Sequence, residues 1–208
     1  LFVALQHLLP QHTLSRLVGK LAASYTPWIK NPLIKAFATH FVVDMKEAKI
    51  EDLSQFENFN AFFTRELKVG MRPICEDTNA IACPADGAVS EIGDIVLGSV
   101  MQAKGQSYSL ISLVGGDADL TNALMGGKFA TIYLSPRDYH RVHMPAGGRL
   151  IKMTYVPGKL FSVNQATANL VPGLFARNER LVCEFEGEKG RFVVILVGAM
   201  IVAGIETV

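Results

Sequence analysis

The sequence predicts an α+β chain, predominantly β, in which a sandwich- or barrel-like β core follows a set of amphipathic helices. Three observations lead there. Residues 1–43 carry apolar residues at helical spacing together with Arg16, Lys20, Lys30 and Lys35, and no acid. From residue 44 onward, short apolar runs alternate with Gly, Pro and Asp, the pattern of short strands joined by tight turns. The chain has 208 residues, half of them hydrophobic, which suits one sizeable core plus an extension. The expected organisation is therefore a helical segment, 1–43, and a β-rich body, 44–208.

Taken in order, Leu1–Leu9 is an apolar run that Pro10 interrupts. Thr13–Ser24 places Leu14, Leu17, Val18 and Leu21 on one helical face, with Arg16 and Lys20 elsewhere. Trp28 follows Pro27, and Pro32–Phe41 repeats the pattern with Leu33, Ile34, Phe37 and Phe41. None of these runs reaches the roughly 18–20 apolar residues that span a bilayer. Basic, aromatic, amphipathic helices suit an anionic membrane surface; helices that cap a β core or pair two copies of a chain share the pattern. Phe59–Leu67 reads as a short helix capped by Asn58 or Asn60. The expected strands are Ala80–Cys83, Ala88–Ile92, Ile95–Leu97, Phe129–Leu134, Leu150–Tyr155, Leu181–Glu186 and Phe192–Val197. Leu110–Met125 is expected as a helical insertion, weakened by Gly115 and Gly116. Phe192–Ile205 is the longest apolar run, and its β-branched content predicts two buried strands around a bend.

Composition narrows the function. The net charge is +1, but the four bases of residues 1–43 stand beside a remainder with 16 bases and 19 acids. No basic stripe is interleaved with aromatics, so nucleic-acid binding lacks support. Cys75, Cys83 and Cys183 show no C-x-x-C spacing, which argues against a zinc knuckle or a disulfide framework and fits a reducing compartment. There is no G-x-G-x-x-G, P-loop or H-E-x-x-H motif, and no evident secretory signal.

The chemistry concentrates in Tyr139-His140-Arg141-Val142-His143-Met144-Pro145. Two of the chain's five histidines lie here, with a guanidinium between them. Imidazole titrates nearest neutral pH, so such a pair suits proton transfer or metal binding. Pro84-Ala85-Asp86-Gly87 reads as a tight turn whose Asp either bonds its own backbone or orients a histidine, as in a Ser-His-Asp relay. Phe175–Arg180 sets two arginines beside an acid, and Lys104–Ser109 is either a phosphate contact or a plain hairpin. A metal-dependent hydrolase using His140, His143 and Asp86 is one reading of these residues. A non-catalytic membrane-binding β module is another.

Together the motifs resemble one family. Phe62-Phe63-Thr64-Arg65, Arg72-Pro73-Ile74, Pro84–Gly87, Lys104-Gly105, Tyr133–Pro145, Val156–Asn164, Phe175–Arg180 and Val197-Gly198-Ala199 are, in order, similar to the phosphatidylserine decarboxylases of the bacterial and mitochondrial type. The resemblance runs from about residue 40 to the end. It implies a proenzyme that cuts itself before a serine of a Leu-Gly-Ser-Thr motif. The serine becomes a pyruvoyl group on a small α chain, and the upstream piece is the β chain. The pyruvoyl carbonyl serves as an electron sink while carbon dioxide leaves phosphatidylserine, giving phosphatidylethanolamine without a metal. The implied fold is a barrel-sandwich-like β core with added N-terminal helices, so that 44–208 becomes an incomplete catalytic domain. The implied location is the cytoplasmic side of the inner membrane, as a peripheral protein. The expected partners are the α chain, the lipid substrate and an anionic membrane surface, with a homodimer of αβ units allowed.

Carried over residue by residue, Asp86 and His143 match the relay that activates the serine for self-cleavage. His140 matches the histidine of the decarboxylation step. Phe161, Ser162 and Asn164 are expected at the substrate by their place in the motif. The sequence departs from the family in containing no Leu-Gly-Ser-Thr, so the resemblance implies most of a β chain. Leu97-Gly98-Ser99-Val100 looks similar but precedes the histidine motif, whereas the family's serine follows it.

Overall fold

The computed structural model describes all residues except 1, 2, 4, 5, 8, 78, 104 and 203. Much of the apolar run 1–9, and Lys104 of the 104–109 segment, therefore lie outside the described residues. Contacts divide the chain into two compact units. One comprises Leu1–Arg16, Val89–Tyr133 and Gly147–Val208; the other comprises Leu17–Ala88 and Leu134–Ala146.

The second unit is built on helices. Helix α1 (Gln11–Ala22) crosses the division and ends with Leu17 and Leu21 more than half exposed. Helix α2 (Pro27–His40) begins before the expected Pro32, because Pro27 sits in the first turn with its φ already helical. Pro32 is carried inside the helix. Ile34 and Ala38, one turn apart, bury the same face against Phe56 and Phe62. A short 3-10 turn (Leu53–Gln55) leads to helix α3 (Phe59–Phe63), and Asn58 caps it by accepting from Ala61 N at 2.9 Å. Phe37 meets Phe59, Phe62 and Phe63 edge-on, so the aromatic run forms a small core of its own. Lys30 is buried there, its ammonium donating to the carbonyls of Ser54 at 2.9 Å and Phe56 at 2.6 Å.

The first unit carries the sheets. Strands β1 (Ala88–Asp94) and β4 (Lys128–Tyr133) form one ribbon, and β2 (Ser99–Ala103) with β3 (Gln106–Ser109) form an antiparallel hairpin. Strands β5 (Arg149–Val156), β6 (Arg180–Gly187) and β7 (Gly190–Val197) make a three-stranded antiparallel sheet with β6 in the middle. Between them lie helices α4 (Leu110–Leu113), α5 (Ala118–Leu124), α6 (Gln165–Leu170) and α7 (Leu174–Arg177). One core gathers Ile95, Val100, Leu110, Val114, Leu120 and Val182; another gathers Leu113, Phe161, Val171, Leu174 and Phe175.

The architecture is mixed α and β, with helix and strand of comparable extent rather than a strand majority. Among the described residues the sheets are small and antiparallel, and none closes into a barrel. Several element-level expectations change for local reasons. Ala80–Cys83 is not a strand; its Ala82 N–H donates to Pro145 O instead. Ile95–Leu97 is a turn, closed by mutual bonds between Val96 and Ser99 and with Leu97 at φ 49°. The insertion at 110–125 breaks into α4 and α5, because Gly115 and Gly116 take φ values of 78° and 89°. Among the described residues the run 192–205 yields one strand; after Val197 the chain turns, with Gly198 N–H donating to Glu179 O and an isolated bridge at Ala199–Val202.

Candidate active site

The histidine motif and the Pro-Ala-Asp-Gly turn lie side by side within the second unit. Ala82 N–H donates to Pro145 O at 2.8 Å and His143 N–H donates to Pro84 O at 2.7 Å. These two antiparallel ties fasten 82–84 against 143–145 and bring the Asp86 turn next to His143. His143 is exposed and lines a cleft of about 290 Å³ together with Tyr139, Arg72, Glu66 and Lys68. Its Nε2 shares a 3.0 Å hydrogen bond with the hydroxyl of buried Tyr139, four residues earlier, and the two rings stack.

The Asp86 carboxylate is held by Arg72. The guanidinium donates from Nε to Oδ1 at 2.7 Å and from Nη2 to Oδ2 at 2.5 Å, a two-pronged contact. The same Nη2 also donates to Glu47 at 2.8 Å. These bonds hold the Asp86 carboxyl below the usual carboxylate range, and they push the Arg72 guanidinium up. Among the described residues no hydrogen bond joins Asp86 directly to His143; backbone pairing brings them together, and Arg72 takes the carboxylate.

His140 occupies different surroundings, half-buried with its ring 3.9 Å from that of Phe63. Its Nδ1 lies 2.9 Å from the carbonyl of Asp138. A carbonyl only accepts, so Nδ1 carries the proton and the neutral ring presents an unprotonated Nε2. Burial lowers the His140 pKa, and the nearby Arg65 cation lowers it further, against the opposing Asp138 bond. Arg65 itself is buried, donates from Nη2 to Arg137 O at 3.1 Å and lies over the Phe62 ring. Among the described residues its Nε and Nη1 have no hydrogen-bond partner, and burial lowers its pKa.

The three residues expected at the substrate lie in the first unit. Phe161 is buried in the core around Leu174; its backbone is bracketed by the Asn178 side chain, and His7 and Arg177 lie against its ring. Ser162 exchanges hydrogen bonds with the Gln6 amide. Asn164 caps α6 by accepting from Thr167 N at 3.1 Å.

This sequence can be set beside known proteins. Residues 59–208 match the phosphatidylserine decarboxylase family profile, and residues 1–42 match a second profile named PSD. The phosphatidylserine decarboxylase proenzyme of Pseudomonas aeruginosa PAO1 is 61% identical over 208 residues, all of this chain and 72% of the relative. The proenzyme of Alcanivorax borkumensis is 63% identical over 209 residues, covering 100% of this chain and 72% of the relative. That of Azotobacter vinelandii is 61% identical, again over the whole chain and 73% of its own length. The chain belongs to the phosphatidylserine decarboxylase family.

Against that family, the reading as a metal-dependent hydrolase has no support. Among the described residues no cluster of His, Cys, Asp and Glu has the geometry of a metal site. The three candidate ligands also face different partners: Asp86 faces Arg72, His143 faces Tyr139, and His140 turns Nδ1 to Asp138. Sequence reasoning gave no role to Arg72 or Tyr139. Arg72 bears on Asp86 across a loop that local pattern does not encode. The spacing of Tyr139 and His143, four apart, was the available signal for the second contact.

Proposed function

We propose that this chain is the β-chain part of a phosphatidylserine decarboxylase, a self-cleaving proenzyme that converts phosphatidylserine to phosphatidylethanolamine and carbon dioxide. The observation that carries it is the tie of the Asp86 turn to His143, in a chain whose proenzyme relatives match along its whole length. In this reading His143 takes the hydroxyl proton of the serine at the cleavage point, and Asp86, steadied by Arg72, supports the charge that develops on the ring. Residues 44–208 are then the catalytic domain without its α-chain part, whose strands complete a barrel-sandwich core; homodimers of αβ units fit the same scheme.

A pyruvoyl group on the α chain supplies, when present, a carbonyl that withdraws electrons from the substrate's α-carbon. The surroundings of His140 fit that chemistry, because its Nε2 is unprotonated and its ring rests on Phe63. Neutral His140 accepts a proton from the substrate ammonium and becomes cationic. It returns the proton to the carbon that has lost carbon dioxide, restoring the neutral ring. Phe161, Ser162 and Asn164 make up the substrate-side segment, with Phe161 forming its apolar floor.

Peripheral attachment to the cytoplasmic face of the inner membrane is supported by the exposed Leu17, Leu21, Tyr25 and Trp28 of α1, α2 and their link. Among the described residues no helix is long and apolar enough to cross a membrane. Glu in place of Leu17, Leu21 and Trp28 should weaken co-sedimentation with anionic vesicles, and unchanged binding would remove the membrane reading. The function itself is tested with processed full-length protein and detergent-dispersed phosphatidylserine. The expected result is equimolar carbon dioxide and phosphatidylethanolamine, with a small chain whose intact mass shows a keto-blocked N-terminus. A processed preparation that releases no carbon dioxide refutes it.

A further inference from the structure

The first unit contains a second cleft, of about 320 Å³, whose walls include Lys159, Arg177, His7, His12 and Phe161. Its shape follows from two backbone segments pressed together. Lys159 N–H donates to Arg177 O at 2.8 Å, and Glu179 N–H donates to Lys159 O at 2.8 Å. Gly158 permits this approach, since a Cβ there would lie 2.5 Å from Arg177 O and from Glu179 N. Two permanent cations are thereby set on neighbouring segments of one concavity.

Neither cation has an acid partner among the described residues. That is unlike Lys49, Lys68, Arg72, Lys128 and Lys152, each paired with a carboxylate within 3.0 Å. Arg177 is also pre-positioned, its guanidinium 5.1 Å from the centroid of the Phe161 ring, which leaves its N–H edge available. Glu179 lies 3.9 Å from His12 Nδ1, but it is largely buried and accepts the Tyr155 hydroxyl at 3.0 Å. His12 Nε2 donates to Gly158 O at 2.9 Å, which fixes that ring in the wall. Leu9 and Pro10 add an apolar rim. A pair of free cations over an aromatic floor with an apolar edge suits an oxyanion joined to an apolar body.

We infer that Lys159 and Arg177 bind the phosphodiester of a phospholipid headgroup in this cleft, making them specificity residues for the lipid substrate. The inference rests on the decarboxylase reading. The phosphodiester keeps its charge throughout the reaction, so its binding energy is the same in ground and transition states and should appear in KM rather than kcat.

The test uses processed full-length enzyme and short-chain phosphatidylserine below its micelle concentration, so that membrane charge plays no part. Lys159→Ala and Arg177→Gln should each raise KM about tenfold, equivalent to about 1.4 kcal/mol, with a much smaller change in kcat. Arg177→Lys, which keeps the charge and the fold but loses the fork, should fall between. Glycerophosphoserine should compete in the wild type and lose potency in the variants, while inorganic phosphate at equal concentration should not compete. Unchanged KM in Lys159→Ala and in both Arg177 variants overturns the inference, as does inorganic phosphate competing as well as the headgroup, which would make this a free-anion site. Wild-type enzyme that is processed but inactive would instead defeat the decarboxylase reading, so the two failures are distinct.

Discussion

The cleft at His143 and the cleft at Lys159 treat charge in opposite ways. Around His143, Arg72 is bound to Asp86 and Glu47, Arg141 to Glu66, and Lys68 to Glu51. Around Lys159 the two strong cations are left without acids among the described residues, while polar contacts in the wall are made by backbone, by His12 and by the Gln11 amide. Paired charges fix the positions of groups that must act on one another. Unpaired ones keep their attraction for something that arrives. Exposed ion pairs contribute little stability, about 0–1 kcal/mol each, so the network at His143 is better understood as geometry than as glue.

The contrast can be broken most sharply at the relay. In full-length proenzyme, Asp86→Ala or His143→Ala should slow self-cleavage by about 10³-fold or more, leaving a single band on a denaturing gel; normal processing of both would undo their role. His140→Ala should still be cut but should lose about 10²–10⁴ in decarboxylation. The His140 environment also sets a pH limb. Burial favours the neutral ring, so the rise of kcat/KM with pH that reports its deprotonation should lie below its ordinary value of 6.5. Arg65→Met removes a neighbouring cation and should move that limb upward; a limb that stays put would argue against the electrostatic link.

Smaller effects sharpen the same distinction. Arg72→Leu frees the Asp86 carboxylate, whose pKa should then rise toward the ordinary range. Cleavage should fall, by up to about 10²-fold if the carboxylate drifts by about 1 Å, with the loss greatest at acid pH. Gly158→Ala forces a Cβ into backbone and should cost about 1–3 kcal/mol of stability, read as a lower denaturation midpoint, without touching the His143 side. Tyr139→Phe removes one hydrogen bond, about 1 kcal/mol, and should slow cleavage several-fold; an unchanged rate would make that contact incidental.

Local pattern foretold what local forces decide. The face of α1, the Asn58 cap and strands β5, β6 and β7 follow from periodicity and turn residues close in sequence. The β2–β3 hairpin is legible only as one of two readings of 104–109, because polar residues interrupt its apolar pattern: Gln102 is buried where its amide reaches the carbonyls of Ala168 and Val171 and the N–H of Leu174, some 70 positions away. Arg180 is similar, a β-strand cation held by the carbonyls of Leu113, Ser112, Ala176 and Asn178. At the site, the motif named His140, His143 and Asp86. It was silent on which residue holds each of them, since Arg72–Asp86 depends on the path of the intervening chain.

The buried Lys30 bears on how the helical segment can be manipulated. Its ammonium stitches α2 to the backbone just before the Phe59–Phe63 helix, and Ile34 and Ala38 roof the same phenylalanines. Trimming the protein at residue 43 would therefore uncap two carbonyls and bare an aromatic cluster whose neighbour, Phe63, bears the His140 ring. A shortened protein that stopped floating to lipid would report on a damaged imidazole seat as much as on a lost anchor, which is why single exposed side chains make the cleaner probe.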